Sequence, residues 1–251
     1  MARRDEYYNK AKQQGYRSRS AYKLQQLDET ADLFTNESTV LDLGAAPGGW
    51  LQVAAERTPE GRVVGVDRQR IETIEGVETR RGDLTDEEVR AELKADIGEA
   101  DVVLSDMAPN MSGEYDLDHA RSVHLARQAL DVAREVLTPG GDLVVKVFDG
   151  RDLDGLKTDV DDEFEYVRTV HPDASRDESS ELYLVGKGRM TAPVEVGDQL
   201  VVEITATGEE GDGIAKIEEY TVFVPETEEG EEVRVRIVDV KPRFGFAERI
   251  D

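Results

Sequence analysis

A glycine-rich turn places the strongest constraint on how this chain can fold. It joins the β-branched and aliphatic run Thr39–Leu43 to a helix-forming segment, residues 50–57, through Gly-Ala-Ala-Pro-Gly-Gly at residues 44–49. The pattern predicts a buried strand followed by a helix. A strand, a tight glycine turn and a helix N-terminus form a cradle for a nucleotide or nucleoside, because glycine lets the backbone approach a ligand where a Cβ would collide.

The turn lacks the spacing of dinucleotide-binding loops. Three residues separate Gly44 from Gly48, so the G-x-G-x-x-G pattern is absent. Asp42 lies just before the turn, where its carboxylate would repel a pyrophosphate. A ligand with an amino acid end and no phosphate, such as S-adenosylmethionine, suits this chemistry better. The alternative is a glycine-rich turn with a purely structural role.

Length and composition limit the classes of protein to consider. The chain of 251 residues can hold one substantial α/β domain and a smaller one. It has no run of 18 apolar residues and no apolar signal core at its start, so we expect a cytoplasmic protein without membrane association. The absence of cysteine excludes disulfides and thiol chemistry. We expect no metal site, because the three histidines lack ligand spacing: His119, His124 and His171.

The net charge of −25 by itself argues against a nucleic-acid-binding protein, since a negative field repels phosphate. The same acidic excess, spread over the whole chain and combined with 22 arginines against 9 lysines, is typical of proteins adapted to concentrated salt. Charge repulsion at 1 M salt is screened within about 3 Å. Local departures from the mean charge therefore indicate the binding partner better than the total does.

The N-terminal segment, residues 1–27, departs from this acidic background. It carries seven basic side chains against two acidic ones, and it holds four of the eight tyrosines of the chain: Tyr7, Tyr8, Tyr16 and Tyr22. Cations for phosphates and aromatic rings for bases are the composition of a nucleic-acid contact surface. The alternative is a solvated arm with a few tyrosines packed on the core.

Three carboxylates follow predicted strands at positions typical of ligand sites. Asp67 ends the second strand, residues 62–67, and lies 19 residues beyond Gly48, where an acid accepts hydrogen bonds from ribose hydroxyls. Asp83 follows the third strand and could hold an adenine amino group or, alternatively, cap a turn. Asp106 follows the fourth strand. Open α/β sheets bind their ligands at the carboxyl ends of such strands.

Lys146 is the most unusual residue of the chain, because it lies within the apolar fifth strand, residues 143–148. Burying an ammonium group is costly without partners, so this lysine is either paired or kept for chemistry. A seventh strand begins at Glu181 after a loop too short for a parallel crossover, and therefore runs antiparallel. Because a reversed strand starts where the others end, we expect Asp106, Lys146 and Glu181 to converge.

Lysines and carboxylates beside a sulfonium cofactor would suit methyl transfer to a poor nucleophile. A ribose 2′-hydroxyl needs help with its proton, and a lysine whose pKa is lowered by burial and by a second cation can act as the general base. The acids would then orient the amines. In-line displacement also requires the three reacting atoms to lie in a row, which is a problem of positioning.

The character of the sequence changes after a linker at residues 186–193. Residues 194–251 contain short alternating runs separated by turns, which predicts a small β-barrel. From residue 190 onward there are six basic and sixteen acidic residues, a net charge of −10. RNA binding by the barrel would therefore need a local basic or aromatic face, for which the candidates are Lys241, Arg243, Phe244 and Phe246.

Four stretches together resemble the FtsJ (RrmJ) family of RNA ribose 2′-O-methyltransferases: residues 42–50, 105–110, 145–148 and 179–183. The resemblance implies an α/β fold, a Rossmann-like seven-stranded S-adenosylmethionine-dependent methyltransferase sheet with one antiparallel strand. It implies a catalytic set of Lys23, Asp106, Lys146 and Glu181, with Lys146 as the proton acceptor. The cofactor contacts of the family correspond to Gly48, Trp50, Asp67, Asp83 and Asp106.

The resemblance also implies a partner. Bacterial-type members of the family methylate a uridine in the A-loop of 23S ribosomal RNA, and residues 18–24 look more like this ribosomal branch. Residues 193–251 resemble a TRAM domain, an RNA-binding barrel found beside RNA-modifying enzymes. The expected protein is thus a monomer from a halophilic archaeon that acts on ribosomal RNA within the large ribosomal particle. Its expected division is a methyltransferase domain at residues 1–189 and a TRAM-like barrel at residues 190–251.

Three alternatives to this assignment stay open from the sequence. The first is methylation of tRNA riboses, because other relatives act on tRNA anticodon loops or on mRNA caps. The second is a catalytically idle RNA-binding or ribosome-assembly factor, which the retained lysines and acids disfavour. The third is methylation of a small molecule, which the basic N-terminal segment and the barrel disfavour.

Overall fold

The computed structural model describes residues 2–176, 179–208 and 211–250. It separates into two compact units, Met1–Lys187 and Gly188–Asp251. The first contains a seven-stranded sheet with helices, and the second contains a closed β-barrel. Among the described residues, no helix is both long enough and apolar enough to span a membrane.

The α/β unit alternates strands and helices along most of its length. Its helices are α1 (Ala2–Gln14), α2 (Ala21–Ala31), α3 (Gly49–Arg57), α4 (Glu87–Ile97), α5 (Tyr115–Val136) and α6 (Leu153–Asp161). Its strands are β1 (Thr39–Leu43), β2 (Arg62–Asp67), β3 (Val77–Arg81), β4 (Ala100–Ser105), β5 (Leu137–Phe148), β6 (Phe164–Val170) and β7 (Glu181–Arg189).

The seven strands form one sheet in the order β3-β2-β1-β4-β5-β7-β6. The first five strands in this order pair in parallel, whereas β7 runs antiparallel to β5. The register of the reversed pair places Glu181 opposite Phe148 and Tyr183 opposite Lys146. The carboxyl ends of β4 and β5 and the start of β7 therefore lie at one edge. The predicted Rossmann-like sheet with a reversed strand is confirmed.

Apolar side chains cover both faces of this sheet. One cluster packs α4, α5 and α6 against it, and a second packs α2 and α3 against the opposite face. Helix α5 packs on the sheet because it has an apolar face. The residues of this face recur at helical spacing and are all buried: Ala126, Ala129, Leu130 and Ala133. The strands β1, β4 and β5 are buried along most of their length, as a parallel sheet covered on both faces requires.

Two features of the α/β unit go beyond the sequence-based prediction. The pattern of residues 2–14, which is mostly polar, does not predict α1. Helix α5 is followed directly by β5, so that Pro139 and Gly140 lie within the strand and not in a loop. Gly140 has a φ of +83°, and the β4–β5 pairing shifts register between Ala100 and Val102. This irregularity accommodates two residues that otherwise weaken a strand.

The barrel unit contains five strands, β8 (Gln199–Thr207), β9 (Gly213–Ile217), β10 (Tyr220–Val224), β11 (Glu232–Val240) and β12 (Phe244–Arg249). They close in the order β10-β12-β11-β8-β9, with β10 and β12 parallel and the other pairs antiparallel. Alternate side chains fill the interior, among them Val222, Val224, Val233 and Val235. The predicted small barrel is confirmed.

Candidate active site

A lysine–aspartate pair occupies the edge of the sheet where β4 and β5 end. Asp106 directly follows β4, and Lys146 lies near the end of β5. The Lys146 Nζ donates one hydrogen bond to the Asp106 Oδ1 at 2.8 Å and another to the Asp106 main-chain oxygen at 2.5 Å. Lys146 is only 8% exposed. The two hydrogen bonds to Asp106 therefore fix the position of its amine in a buried environment.

A second lysine–carboxylate pair lies in the same cluster. The Nζ of Lys23, on α2, is 2.5 Å from the Oε1 of Glu181 at the start of β7, and the two side chains are 9% and 11% exposed. An ion pair so far from water depends on each charge keeping its partner. Helix α2 carries Lys23 to this position because its apolar residues Ala21, Leu24 and Leu27 pack on the sheet.

Tyr183 connects the two pairs. Its hydroxyl donates a 2.8 Å hydrogen bond to the Asp106 Oδ1, and the Lys23 Nζ lies 5.8 Å from the centre of its ring. Burial, and then the charges of Asp106 and Glu181, raise the pKa of Tyr183 well above its usual value, so the hydroxyl keeps its proton. The predicted site did not include Tyr183, although a residue two positions after Glu181 must share its face of β7.

Asp106 is the shared acceptor of the cluster. Burial alone would raise its pKa, but the positive charges of Lys146 and Lys23 and the hydrogen bonds from Lys146 and Tyr183 outweigh burial. The pKa of Asp106 consequently lies below its usual value, and the carboxylate is ionised at neutral pH. The structure thus brings the four residues of the predicted catalytic set into one cluster.

A cavity of about 680 Å³ opens beside Asp106. Its walls come from the glycine turn, the segments after β2, β3 and β4, and helix α5. A volume of this size is ordinary for a small-molecule site. Asp67 lines the cavity, and its two carboxylate oxygens accept hydrogen bonds from the main-chain N–H of Ala46 at 3.0 Å and of Gln69 at 2.7 Å. The carboxylate of Asp67 therefore has a fixed orientation.

Asp83 also lines this cavity and at the same time stabilises a turn. Its Oδ1 accepts hydrogen bonds from the main-chain N–H and the hydroxyl of Thr85, at 3.0 and 2.8 Å, and its Oδ2 lies 3.3 Å from the Arg68 Nε. The main-chain bond from Thr85 makes the largest contribution to lowering the pKa of Asp83. The turn-capping alternative for Asp83 is therefore realised, in a residue that still faces the cavity.

Asp42 is a buried carboxylate without a hydrogen-bond partner in the described part of the chain. It is 1% exposed, and burial, followed by the charges of Asp106 and Asp67, raises its pKa well above the usual value. The negative charges of Asp106 and Asp67 act on Asp42, and a cationic ligand in the cavity that Asp106 and Asp67 line would relieve this repulsion. This donor set fits S-adenosylmethionine, which carries a sulfonium and an ammonium group.

The glycine turn brings neighbouring segments close together. Gly44 has a φ of +77°, and a Cβ at this position would lie 2.5 Å from the Met107 Cγ. Gly48 has a φ of +108° and precedes α3. Trp50 is buried, and its indole N–H donates a 2.8 Å hydrogen bond to the main-chain oxygen of Ser20. Of the predicted cofactor residues, all of which the structure describes, Asp67, Asp83 and Asp106 line the cavity, whereas Gly48 and Trp50 do not.

Gln128 is a cavity-lining residue that the sequence did not reveal. It projects from α5, and its Oε1 is buried without a hydrogen-bond partner among the described residues. An unpaired buried oxygen is unfavourable, and an amino group of a bound ligand would satisfy it. A glutamine within a long amphipathic helix gives no indication of such a role, because most glutamines at helical positions face solvent.

The N-terminal segment uses most of its aromatic rings for packing. Tyr22 is 3% exposed, and its ring lies 5.5 Å from that of Tyr7 and 5.7 Å from that of Tyr16. Tyr8, in contrast, is 59% exposed. For three of the four tyrosines, the structure therefore favours the alternative of packing over that of an open nucleic-acid surface.

Two arginines of this segment, Arg17 and Arg19, also make intramolecular bonds. The Arg17 guanidinium donates hydrogen bonds to three main-chain oxygens, and that of Arg19 donates to the main-chain oxygen of Ala174 at 2.8 Å. One acceptor of Arg17 is Pro47 in the glycine turn, at 3.1 Å. These two arginines thus stabilise the α/β unit itself, including the turn beside the cavity.

Comparison with known proteins identifies the family. Residues 16–189 match the model of FtsJ-like methyltransferases. The chain belongs to the FtsJ-like methyltransferase family. Residues 193–250 of this FtsJ-like protein match the model of the TRAM domain, so the barrel unit is a TRAM domain.

Relatives of this FtsJ-like protein extend over its whole length. The ribosomal RNA large subunit methyltransferase E of Natronomonas pharaonis is 66% identical over 252 residues and covers all of both chains. The protein of the same name from Halorubrum lacusprofundi is 64% identical and covers all of this chain and 95% of its own. Both sources are halophilic archaea, in agreement with the salt-adapted composition. A crystal structure described as that of a ribosomal RNA methyltransferase from Plasmodium falciparum is similar with a TM-score of 0.63 and 30% identity, covering 69% of this chain and 98% of that one.

Proposed function

We propose that this FtsJ-like protein transfers a methyl group from S-adenosylmethionine to a uridine ribose 2′-hydroxyl in the A-loop of 23S ribosomal RNA. The observation that carries the proposal is the buried cluster of Lys23, Asp106, Lys146 and Glu181 beside a cavity suited to a cationic ligand. The ribosomal target is supported by the relatives at 66% and 64% identity, whose names refer to the RNA of the large ribosomal particle.

Five residues are proposed to bind the cofactor, of which Asp67, Asp83 and Asp106 line the cavity. The full set is Gly48, Trp50, Asp67, Asp83 and Asp106. Asp67 has its carboxylate oriented by main-chain N–H groups, as hydrogen bonding to ribose hydroxyls requires. The carboxylates of Asp67 and Asp106 would favour the positively charged end of the cofactor, and the unpaired Oε1 of Gln128, which lines the cavity, would accept a hydrogen bond from an amino group of the cofactor.

The residues of the cluster provide for removal of a proton. When bound, S-adenosylmethionine supplies an electrophilic methyl group that the ribose oxygen accepts as the carbon–sulfur bond breaks. A ribose hydroxyl is a weak nucleophile, so its proton must leave during the attack. We assign the Nζ of Lys146 as the acceptor of this proton. Its hydrogen bonds to Asp106 fix the direction of the amine lone pair, which a near-attack geometry demands.

Lys23 and Glu181 would support this role through charge and position. A second cation near Asp106 shares this carboxylate with Lys146. Glu181 holds Lys23 in place at 2.5 Å, and the Tyr183 hydroxyl donates a further hydrogen bond to Asp106. The two lysines thus have different roles: Lys146 would accept the proton, and Lys23 would help to hold Asp106 in position.

We further propose that residues 1–189 form the methyltransferase domain and residues 190–251 an RNA-binding domain. The partner of this monomeric enzyme would be 23S ribosomal RNA within the large ribosomal particle. The match of the second unit to a TRAM domain supports an RNA partner.

Mapping of 2′-O-methyl groups tests the proposal directly. Ribosomal and transfer RNA from cells with and without this protein would be compared at nucleotide resolution, with a Lys146→Ala strain as the control for a folded but inactive protein. We expect one ribose signal in the A-loop of 23S ribosomal RNA to disappear in both the deletion and the variant. Loss confined to tRNA would keep the reaction and replace the target, and no loss at any nucleotide would support an idle RNA-binding factor.

A further inference from the structure

Three phenylalanines form an exposed cluster on the barrel, which we call the aromatic platform: Phe223, Phe244 and Phe246. Their ring centres lie 5.6 to 5.9 Å apart, in two edge-to-face pairs and one tilted pair. Phe244 and Phe246 are 37% and 38% exposed. The cluster contains half of the six phenylalanines of the chain. Contiguous exposed aromatic surface of this kind marks interaction sites more often than chance exposure.

The strand register fixes the platform on the outside of the barrel. Phe223 and Phe246 are paired across β10 and β12, and Phe244 is paired with Thr221. Val222 directly precedes Phe223, and Gly245 lies between Phe244 and Phe246. Both Val222 and Gly245 are buried, so the phenylalanines face outward. The Tyr220 hydroxyl donates to the main-chain oxygen of Phe244 and so fixes the start of β12. The three rings are therefore held in place before any partner arrives.

The charge around the platform differs from that of the rest of the barrel. On β9, β10 and β12, which the structure describes completely, the only acidic residue is Glu248, and it lies 3.3 Å from the Arg236 guanidinium. The same strands carry Lys216 and Arg249, and Arg243 immediately precedes Phe244. Asp239 on β11 is paired with Phe246, and its carboxylate lies 3.6 Å from the Lys241 Nζ. In a unit with sixteen acidic residues from position 190 onward, the strands β9, β10 and β12 therefore repel phosphate less than the net charge of the unit suggests.

We infer that the aromatic platform binds unpaired RNA bases by stacking. The inference rests on the proposed function, because it takes RNA to be the partner of the protein. Stacking on a side-chain ring requires a free base face, which unpaired nucleotides expose and duplex RNA hides. The rings carry no hydrogen-bonding groups, so the platform would tolerate any base sequence and supply affinity, not selectivity.

Stacking also suits a protein of net charge −25 in concentrated salt. Affinity that depends on phosphate contacts falls steeply as salt rises, because it derives from counterion release. Contact between a ring and a base is not an interaction between charges, and salt does not screen it. The platform thus gives an acidic protein a way to hold RNA that does not depend on cations.

The experiment measures binding of the full-length protein to a fluorescently labelled, unstructured RNA of about ten nucleotides, a length within the usual site size of single-strand-binding barrels. Fluorescence anisotropy would be recorded for the wild type and for Phe244→Leu/Phe246→Leu, in which apolar side chains keep the strands covered. Val201→Ala is the matched control, because Val201 is 58% exposed on β8, a strand that the platform does not include. Thermal unfolding would show that all three proteins are folded.

We expect the double leucine variant to bind roughly tenfold or more weakly, given the usual contribution of a stacked base, and Val201→Ala to bind as the wild type does. The ratio between wild type and variant should be the same at about 0.5 M and about 2 M KCl. A duplex of the same sequence should bind the wild type more weakly than the single strand, which tests the inference without any variant. Equal binding by wild type and double variant, or a ratio that disappears at high salt, would overturn it.

The result is distinguishable from a failure of the proposed function. If the wild type methylates ribosomal RNA but the double variant binds the oligonucleotide normally, the inference that the platform binds RNA is wrong and the proposed reaction is supported. If the double variant loses binding but no ribose methylation depends on the protein in cells, the platform stands and the proposed reaction is wrong.

Discussion

The two units of this protein hold their candidate functional side chains in opposite ways. In the α/β unit, Lys23, Lys146 and Tyr183 are buried, whereas Phe244 and Phe246 of the barrel are more than a third exposed. Groups that move a proton work best where orientation is fixed and water is excluded. Groups that hold a long polymer need open access. Burial therefore separates the residues suited to chemistry from those suited to recognition.

The N-terminal segment belongs to the first kind, although its composition suggested the second. Its Tyr22 is buried, its Arg17 bonds to main-chain oxygens, and its Lys23 lies in the cluster that we propose to be catalytic. The acidic barrel, in contrast, presents three rings on its surface. The lesson is that an aromatic and basic composition indicates nucleic-acid binding only when the side chains stay accessible.

If this comparison holds, Lys146→Ala should have the largest effect on the reaction and little effect on RNA affinity. Loss of a general base typically lowers the rate about 10²–10⁴-fold. Methyl transfer from labelled S-adenosylmethionine to ribosomal RNA measures the rate, and calorimetry measures cofactor affinity, which should stay within a few fold. Lys157→Ala, an exposed lysine on α6, is the matched control. A loss of cofactor binding equal to the loss of rate would contradict the assignment of Lys146 as the base.

Lys23→Ala should reduce stability as well as rate, because it leaves Glu181 buried and unpaired. Breaking a buried ion pair by removing one partner costs roughly 3–5 kcal/mol. Urea unfolding measures the cost, with the exposed Lys12→Ala as the control from the same segment. Lys23→Ala/Glu181→Gln should recover part of the stability, since no isolated charge is left, but not the rate. Equal destabilisation by Lys12→Ala would show that burial of the pair is not the cause.

Asp42→Asn tests the unpaired carboxylate through its pH dependence. Folding raises the pKa of Asp42, so its contribution to stability is fully present below the unfolded value, about 3.9, and is lost as pH rises through the folded value. The variant should therefore be more stable than the wild type near neutral pH, by roughly 1.4 kcal/mol per unit of pKa increase, and the difference should shrink toward pH ~4. Urea unfolding of the wild type and the variant at neutral pH and near pH ~4 measures this difference in stability.

The same variant should bind S-adenosylmethionine several-fold more weakly, because the cationic ligand loses a carboxylate. Calorimetry at neutral pH tests this cost. A stability difference that is constant with pH would mean that Asp42 is not titrating, and unchanged cofactor affinity would show that its charge does not act on the bound cofactor.

The smallest effect is expected for Tyr22→Phe. The Tyr22 hydroxyl donates a 2.8 Å hydrogen bond to the Gln14 Oε1, and such a bond contributes about 0.5–1.5 kcal/mol to stability. The free energy of unfolding should fall by about this amount while RNA affinity is unchanged. Tyr8→Phe, at an exposed ring of the same segment, should alter neither quantity. Weaker RNA binding by Tyr22→Phe at unchanged stability would indicate that the N-terminal segment contacts RNA.

Much of the site could be predicted from the sequence, because it depends on strand ends. Asp67, Asp106 and Lys146 belong to strands that their apolar runs define, and a short loop before Glu181 was enough to predict a reversed strand. What could not be predicted is which side chains complete the cluster. Tyr183 gains its place from the pairing of β7 with β5, and Gln128 from the rotation of α5 about its own axis.

The sequence by itself determined the fold class, the family motifs and the edge of the sheet at which charged residues meet, because these follow from local periodicity and from chain order. Only the tertiary structure decided which groups are buried and which are open. Exposure depends on packing between segments distant in sequence, such as α2 against the sheet or β10 beside β12. For that reason Tyr7, Tyr16 and Tyr22 of the N-terminal segment are packed together, whereas Phe244 and Phe246 of the barrel are exposed.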